Sequence, residues 1–161
     1  MLKLENINNY SIYISGLTSD TCNYEFNLDN DFFIHFQHPD VEGGNVKAFV
    51  KLIKKSNIIE LKIKLEGTLN VECDRCLEKF DYQINATDTI TYVIGEQTDY
   101  KSDDIIVLSK DETVIDVSQQ FYEIAVIQLP ISKVHPEDSN HNSTCNQEML
   151  KILDRYTVKD N

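Results

Sequence analysis

Positive charge is scarce in this chain. Lys and Arg number 15 against 27 Asp and Glu, a formal net charge of −12 over 161 residues. A surface so acidic is repelled on average by nucleic acid and by anionic membranes. It favours solubility and association with a basic protein. Long apolar runs are missing too: nothing approaches the roughly 18 residues that a membrane-crossing helix needs. The opening MLKLENINNY is polar and lacks the apolar segment of a secretory signal, so a cytoplasmic protein is expected. Glycine is sparse, with five residues, and none sits in a P-loop or a GxGxxG turn. GxSxG and HExxH are absent as well. The plentiful Asp and Glu are spread through polar stretches, so no catalytic pair stands out. The expectation is a protein without enzymatic activity, membrane partner or small-molecule substrate. Cysteine is limited to Cys22, Cys73, Cys76 and Cys145. In a reducing compartment a CxxC pair reads as metal-binding or redox-active more readily than as a static bridge.

What is present is mostly strand pattern. A chain of this length makes one ordinary domain, residues 1–161. In NYSIYISGL, Tyr10, Ile12 and Ile14 alternate with polar neighbours and Gly16 ends the run. CNYEFNLDN is a weaker strand, and DFFIHFQHPD is too short and mixed to assign. NVKAFVKLIK and IIELKIKLEG flank KSN and predict an antiparallel hairpin. Ile59, Leu61, Ile63 and Leu65 take one face, Glu60, Lys62 and Lys64 the other. Gly67 allows a bend and TLNVEC continues the strand; FDYQI, TITYVI and IIVL are further strands, with GEQTDYKSDD a polar loop.

The period then changes. In TVIDVSQQFYEIAVIQLP, Val114, Val117, Phe121, Ile124 and Ala125 recur at helical spacing, with a second stripe of Ile115, Tyr122, Val126 and Leu129. Thr113 and Asp116 form a capping-box-like start and Pro130 stops the helix. Residues 132–146 read as a polar loop, NQEMLKILDRY as a short helix, and 157–161 as a frayed end. The fold class is α+β: a mainly antiparallel sheet or partly closed barrel with one buried helix and a short C-terminal helix.

The pair Cys73-Asp74-Arg75-Cys76 lies between strand-like segments. Thioredoxin-type chemistry places such a pair at a helix start inside a βαβ unit, where the helix terminus lowers the thiol pKa. That context is missing, and Asp74 beside the sulfurs opposes thiolate formation while Arg75 favours it. A metal knuckle suits two strands joined by a tight turn, but a closed structural zinc site wants four ligands. Cys145, with His135 or alternatively His141, supplies candidates for the other half. A site of Cys73, Cys76, Cys145 and His135 would clip the C-terminal segment to the sheet and contribute folding free energy. Plain thiols and solvated loop histidines are the competing reading. Cys22 reads as a core or edge thiol, and His38-Pro39 as turn chemistry.

The few basic residues are unevenly placed. Six lysines (47, 51, 54, 55, 62 and 64) fall between positions 47 and 64 against one acid, Glu60. Lys47, Lys51 and Lys55 alternate onto one face with Phe49 and Ile53. Together with Lys62 and Lys64 they form a candidate RNA-contact stripe with apolar interleaving. Lysine is also the usual guard against edge pairing, and the acidity of the remainder favours that plainer use.

EGTLNVECDRCLEKFDYQI, then TVIDVSQQFYEIAVIQLPISKVHP, then TCNQ, together resemble the YceD-like family of large ribosomal RNA subunit accumulation proteins. Gly67, Cys73, Arg75, Cys76, Leu77 and Phe80 match its knuckle. Asp116, Glu123, Leu129 and Pro130 match its helix, and Gly16 with Leu17 its N-terminal strand. The resemblance implies a non-enzymatic ribosome-biogenesis factor for large-subunit ribosomal RNA, binding that RNA, a basic ribosomal protein, or both. Many relatives carry a denser C-terminal cysteine cluster, whereas this chain offers only Cys145. A thiol-redox protein using Cys73 and Cys76, and a zinc-stabilised interaction domain unrelated to ribosomes, are the alternatives.

Overall fold

Alternation in the sequence becomes alternation of burial in the structure. The computed structural model describes residues 10–17, 19–96, 99–102 and 105–157, with 99–102 described by backbone alone. The expectations for residues 1–9, for 97–98 and 103–104 of the polar loop, and for the frayed end at 158–161 lie outside the described residues. The central hairpin is β3 (Gly43–Lys55) and β4 (Ile58–Glu72), joined by Ser56 and Asn57. Ile59, Leu61, Ile63 and Leu65 are all fully buried or nearly so. Each such side chain contributes about 1.5–3 kcal/mol through burial.

β5 (Lys79–Gly95) runs antiparallel to β4 along its full length, merging FDYQI and TITYVI into one strand. β2 (Thr21–Leu28) flanks β3, and β7 (Ile105–Ser109) pairs parallel to β5. β6 (Asp99–Ser102) pairs with the outer edge of β7. This corrects the reading of 95–104 as loop at Gly95 and Asp99–Ser102, where a backbone ladder forms despite the polar sequence. The order β2-β3-β4-β5-β7-β6 is an open sheet with β2 and β6 at its edges. The α+β class and the mainly antiparallel sheet are as expected, and the sheet does not close into a barrel.

One face of the sheet is covered. β1 (Ser11–Tyr13) and β8 (Val114–Asp116) form a two-stranded ribbon. Ile12 and Ile115 from this ribbon join the core with Phe32 and Phe33 of α1 (Asn30–Phe36) and Phe121, Ile124 and Ala125 of α2 (Ser118–Val126). These pack against Val46, Ala48, Val50 and Leu52 of β3. No helix among the described residues is long and apolar enough to cross a membrane.

One open segment and one helix start are decided by their contacts. The unassigned DFFIHF segment is helical, because Asp29 accepts a hydrogen bond from the Phe32 amide at 3.0 Å and so caps α1. Asp29→Ala is expected to cost about 1 kcal/mol in a urea titration, while Asp29→Asn stays near wild type. The second helix begins a turn later than the Thr113–Asp116 box implies. Val114 and Ile115 are held in β8 by β1, and Asp116 accepts from the Ser118 amide at 2.8 Å instead. α2 has no side-chain cap.

A candidate metal centre beyond the hairpin tip

β4 leaves the sheet at Glu72 and β5 re-enters at Lys79, so residues 73–78 form the turn between them. The Cys73 amide donates to the Glu78 carbonyl and the Leu77 amide donates to the Cys73 carbonyl, both at 2.9 Å. Leu77 takes a left-handed φ of 62°, which closes the turn. The result turns both thiols inward: Cys73 and Cys76 are buried.

The partner half comes from residues after α2. The Asp74 amide donates to the Lys133 carbonyl at 2.7 Å, and the Lys133 amide donates to Asp74 Oδ2 at 2.6 Å. The buried Lys133 ammonium lies 3.5 Å from Asp74 Oδ1 and 3.6 Å from Asp40 Oδ1. Asp74 is thus engaged with Lys133. Two residues on, the His135 ring stacks on Phe80 with centroids 4.5 Å apart. The chain then folds back. Asp138 Oδ1 accepts from the amides of Asn142 and Asn140, which hold its carboxyl below the usual range, and Thr144 Oγ1 donates to the Pro136 carbonyl at 2.6 Å. Cys145 follows, and Asn146 caps α3 (Gln147–Tyr156) by accepting from the Glu148 and Met149 amides. Asn146 Nδ2 also donates to Glu78 Oε1 at 2.6 Å, tying the helix start to the knuckle.

Four ligand-type atoms therefore meet. Cys73 Sγ and Cys145 Sγ are 3.7 Å apart, and His135 Nδ1 is 3.4 Å from Cys76 Sγ and 3.7 Å from Cys145 Sγ. All four lie within 4.8 Å of one another. A tetrahedron with metal–sulfur bonds near 2.3 Å and metal–nitrogen bonds near 2.05 Å has edges of about 3.5–3.8 Å. Three of the six separations, at 3.4–3.7 Å, lie close to those edges, and Cys73 Sγ and Cys145 Sγ stand well beyond disulfide bonding distance. The donor set could hold a tetrahedral metal ion.

The surroundings are apolar, with Phe80, Met149 and Leu150 packed on the three buried cysteines and Phe80 also packing against the sheet core. Burial pushes the Cys73 thiol up, but the amides of Cys76, Arg75 and His135, with the His135 ring, outweigh it and bring it down to about 6. Burial pushes the Cys76 thiol up, aided by the Cys73 and Cys145 side chains and opposed by the amides of Asn146 and Glu78.

Of the two candidate histidines, His135 is in the cluster. His141 is exposed at the turn, with φ 62° and Glu137 3.4 Å away. Cys22 is half-buried on β2, and His38 Nδ1 accepts from the Asp40 amide at 3.1 Å, in keeping with turn chemistry. Lys47, Lys51, Lys55, Lys62 and Lys64 are exposed on the sheet face opposite the helices. Lys133, Glu78 and Asn146 were not singled out from sequence. Only Asn146 carried a signal, as a capping residue type before an amphipathic helix.

A sequence model described as large ribosomal RNA subunit accumulation protein YceD matches residues 61–157. The match takes in the knuckle, α2, the folded-back loop and α3, and leaves Gly16 and Leu17 outside. No curated protein matches the chain, and no solved structure matches it. With a family match over more than half its length, the chain belongs to the YceD family of large ribosomal RNA subunit accumulation proteins.

Proposed function

We propose that this protein supports the accumulation of large-subunit ribosomal RNA by binding rather than by catalysis, engaging the RNA, a basic ribosomal protein, or both. The family match across residues 61–157 is the observation that carries this reading. The cytoplasm is the compartment that goes with it. The net charge of −12 suits a basic protein partner. Burial of all three cluster cysteines supports a structural role, since a redox dithiol must reach its substrate disulfide. In this reading Cys73, Cys76, Cys145 and His135 hold structural zinc, which three thiolates and one imidazole suit well. The ion would supply folding free energy and no reaction step.

Depletion of the protein in its native cell tests the function. The ratio of mature large-subunit to small-subunit ribosomal RNA should fall by about twofold or more, a loss large enough to be read directly on total RNA. An unchanged ratio would overturn the proposal.

A further inference from the structure

Among the described residues, α1, α2 and the β1–β8 ribbon cover one face of the sheet, and none covers the other. On the bare face β3 and β4 place lysines together. Lys51 stands directly opposite Lys62 in the strand register, and Phe49 directly opposite Lys64. Thr89 and Thr87 continue the two rows onto β5. These six residues line a trough of about 660 Å³. Like charges directly opposed across strands destabilise a sheet, and because β3 and β4 are interior strands this pair guards no edge.

The ion pairs around it do not cancel it. Lys62 is 3.4 Å from Glu60, and Lys64 is 2.6 Å from Glu66, all on exposed side chains. Such surface pairs are weak and readily exchanged. Lys47 at the rim is 3.7 Å from Glu25. Among the described residues Lys51 has no ion-pair partner. Two acids, Glu25 and Asp88, border the trough. Phe49 is half-buried on its floor among the lysines.

We infer that this trough is a binding surface for single-stranded RNA, with phosphates on Lys51, Lys62 and Lys64 and a base stacked on Phe49. The partner class rests on the ribosomal RNA reading above; the location rests on the geometry alone. Lys62 and Lys64, two residues apart on one strand, lie about 7 Å from each other at the backbone, a step that successive phosphates of an extended strand can follow. An aromatic ring set among cations on an open sheet face is the arrangement that unpaired bases can use, whereas a duplex hides its base faces. An acidic peptide would satisfy the lysines and leave the ring without a partner.

Fluorescence anisotropy of the full-length protein with a labelled 15-nucleotide random single-stranded RNA tests this across 50–200 mM KCl. Wild type should bind, with duplex RNA and a polyglutamate peptide weaker. Lys51→Glu/Lys62→Glu should weaken binding roughly tenfold or more and flatten the salt dependence by about 1.4, two contacts at roughly 0.7 each. Phe49→Ser should weaken it roughly tenfold with the salt slope unchanged. Lys110→Glu/Lys151→Glu changes the net charge equally elsewhere and should leave binding near wild type.

Lys51→Glu alone guards against misfolding. It converts a cross-strand repulsion into an opposite-charge pair, so Tm should rise by about 1–3 °C while RNA binding falls. Equal binding by wild type and the trough double variant would overturn the inference. So would preference for duplex or polyglutamate, or an equal loss in the distant double variant. In cells, full restoration of ribosomal RNA by Lys51→Glu/Lys62→Glu after depletion would sink the trough and leave the proposed function standing. RNA binding at the trough with no ribosomal RNA defect on depletion would do the reverse.

Discussion

Purified without added metal, the protein is expected to carry about one zinc ion per chain, and Cys76→Ser to carry essentially none. The three thiols and His135 already lie within 4.8 Å of one another, with three of their separations near tetrahedral edges. Removing one thiolate leaves the remaining donors short of a closed site. Binding to structural sites of this kind is worth about 10–16 kcal/mol in small peptides, yet the consequence here should be local. The cysteine cluster packs with Phe80, Met149 and Leu150, and of these Phe80 alone also packs against the sheet core. None of α3's residues is fully buried. Metal loss should therefore free the segment from Lys133 through α3 while the long strands stay folded. In hydrogen exchange, α3 amides should speed up by about a hundredfold or more, and β3 and β4 amides should barely change. His135→Ala should weaken metal retention beyond the roughly 10–100-fold that an outer-shell change causes. His141→Ala, altering an exposed turn, should leave it unchanged. Zinc-free wild type, or Cys76→Ser with full zinc, would remove the metal reading without touching the ribosomal one.

The choice between those histidines shows what the sequence could carry. Ligand type and the loop's position were readable, because Cys145 and two histidines share one polar stretch. Which histidine faces the knuckle depends on the local Asp138 turn and on the stacking of His135 over Phe80, a contact between segments more than 50 residues apart. The β3–β4 hairpin was legible because one face is core and the other water, so the alternation is clean from Val46 to Leu52 and from Ile59 to Leu65. α1 was missed because seven residues span two turns, too few for a period to show, and its capping Asp29 resembles any turn aspartate. The start of α2 was misplaced because Val114 and Ile115 fit a helical stripe equally well; pairing with β1, about 100 residues away, decides their conformation.

Gly67→Ala is expected to be among the most destabilising single substitutions in the chain, about 3 kcal/mol or more. A Cβ built there would lie 2.2 Å from the Asn45 carbonyl oxygen and 2.7 Å from Val46 Cα, both backbone atoms of the neighbouring strand. No rotamer relieves a clash with backbone. The φ of +155° adds strain for any L side chain. Gly67 faces Val46 on one side and Ile84 on the other, in the middle of the three longest strands. Accommodating a methyl group means parting β3 from β4, which few domains of total stability about 5–15 kcal/mol can absorb unharmed. Gly16→Ala is the control. Its φ of +77° is also positive, but nothing lies within 4 Å of the added carbon, so its loss should stay near the intrinsic 1–2 kcal/mol. Urea midpoints by far-UV circular dichroism compare them, and a Gly67→Ala loss below about 1 kcal/mol would refute the close-packing argument. The two large effects are separable in one respect. Because β4 and β5 position the knuckle, Gly67→Ala should lower sheet stability and metal retention together, whereas Cys76→Ser should lower metal retention and leave the strands intact.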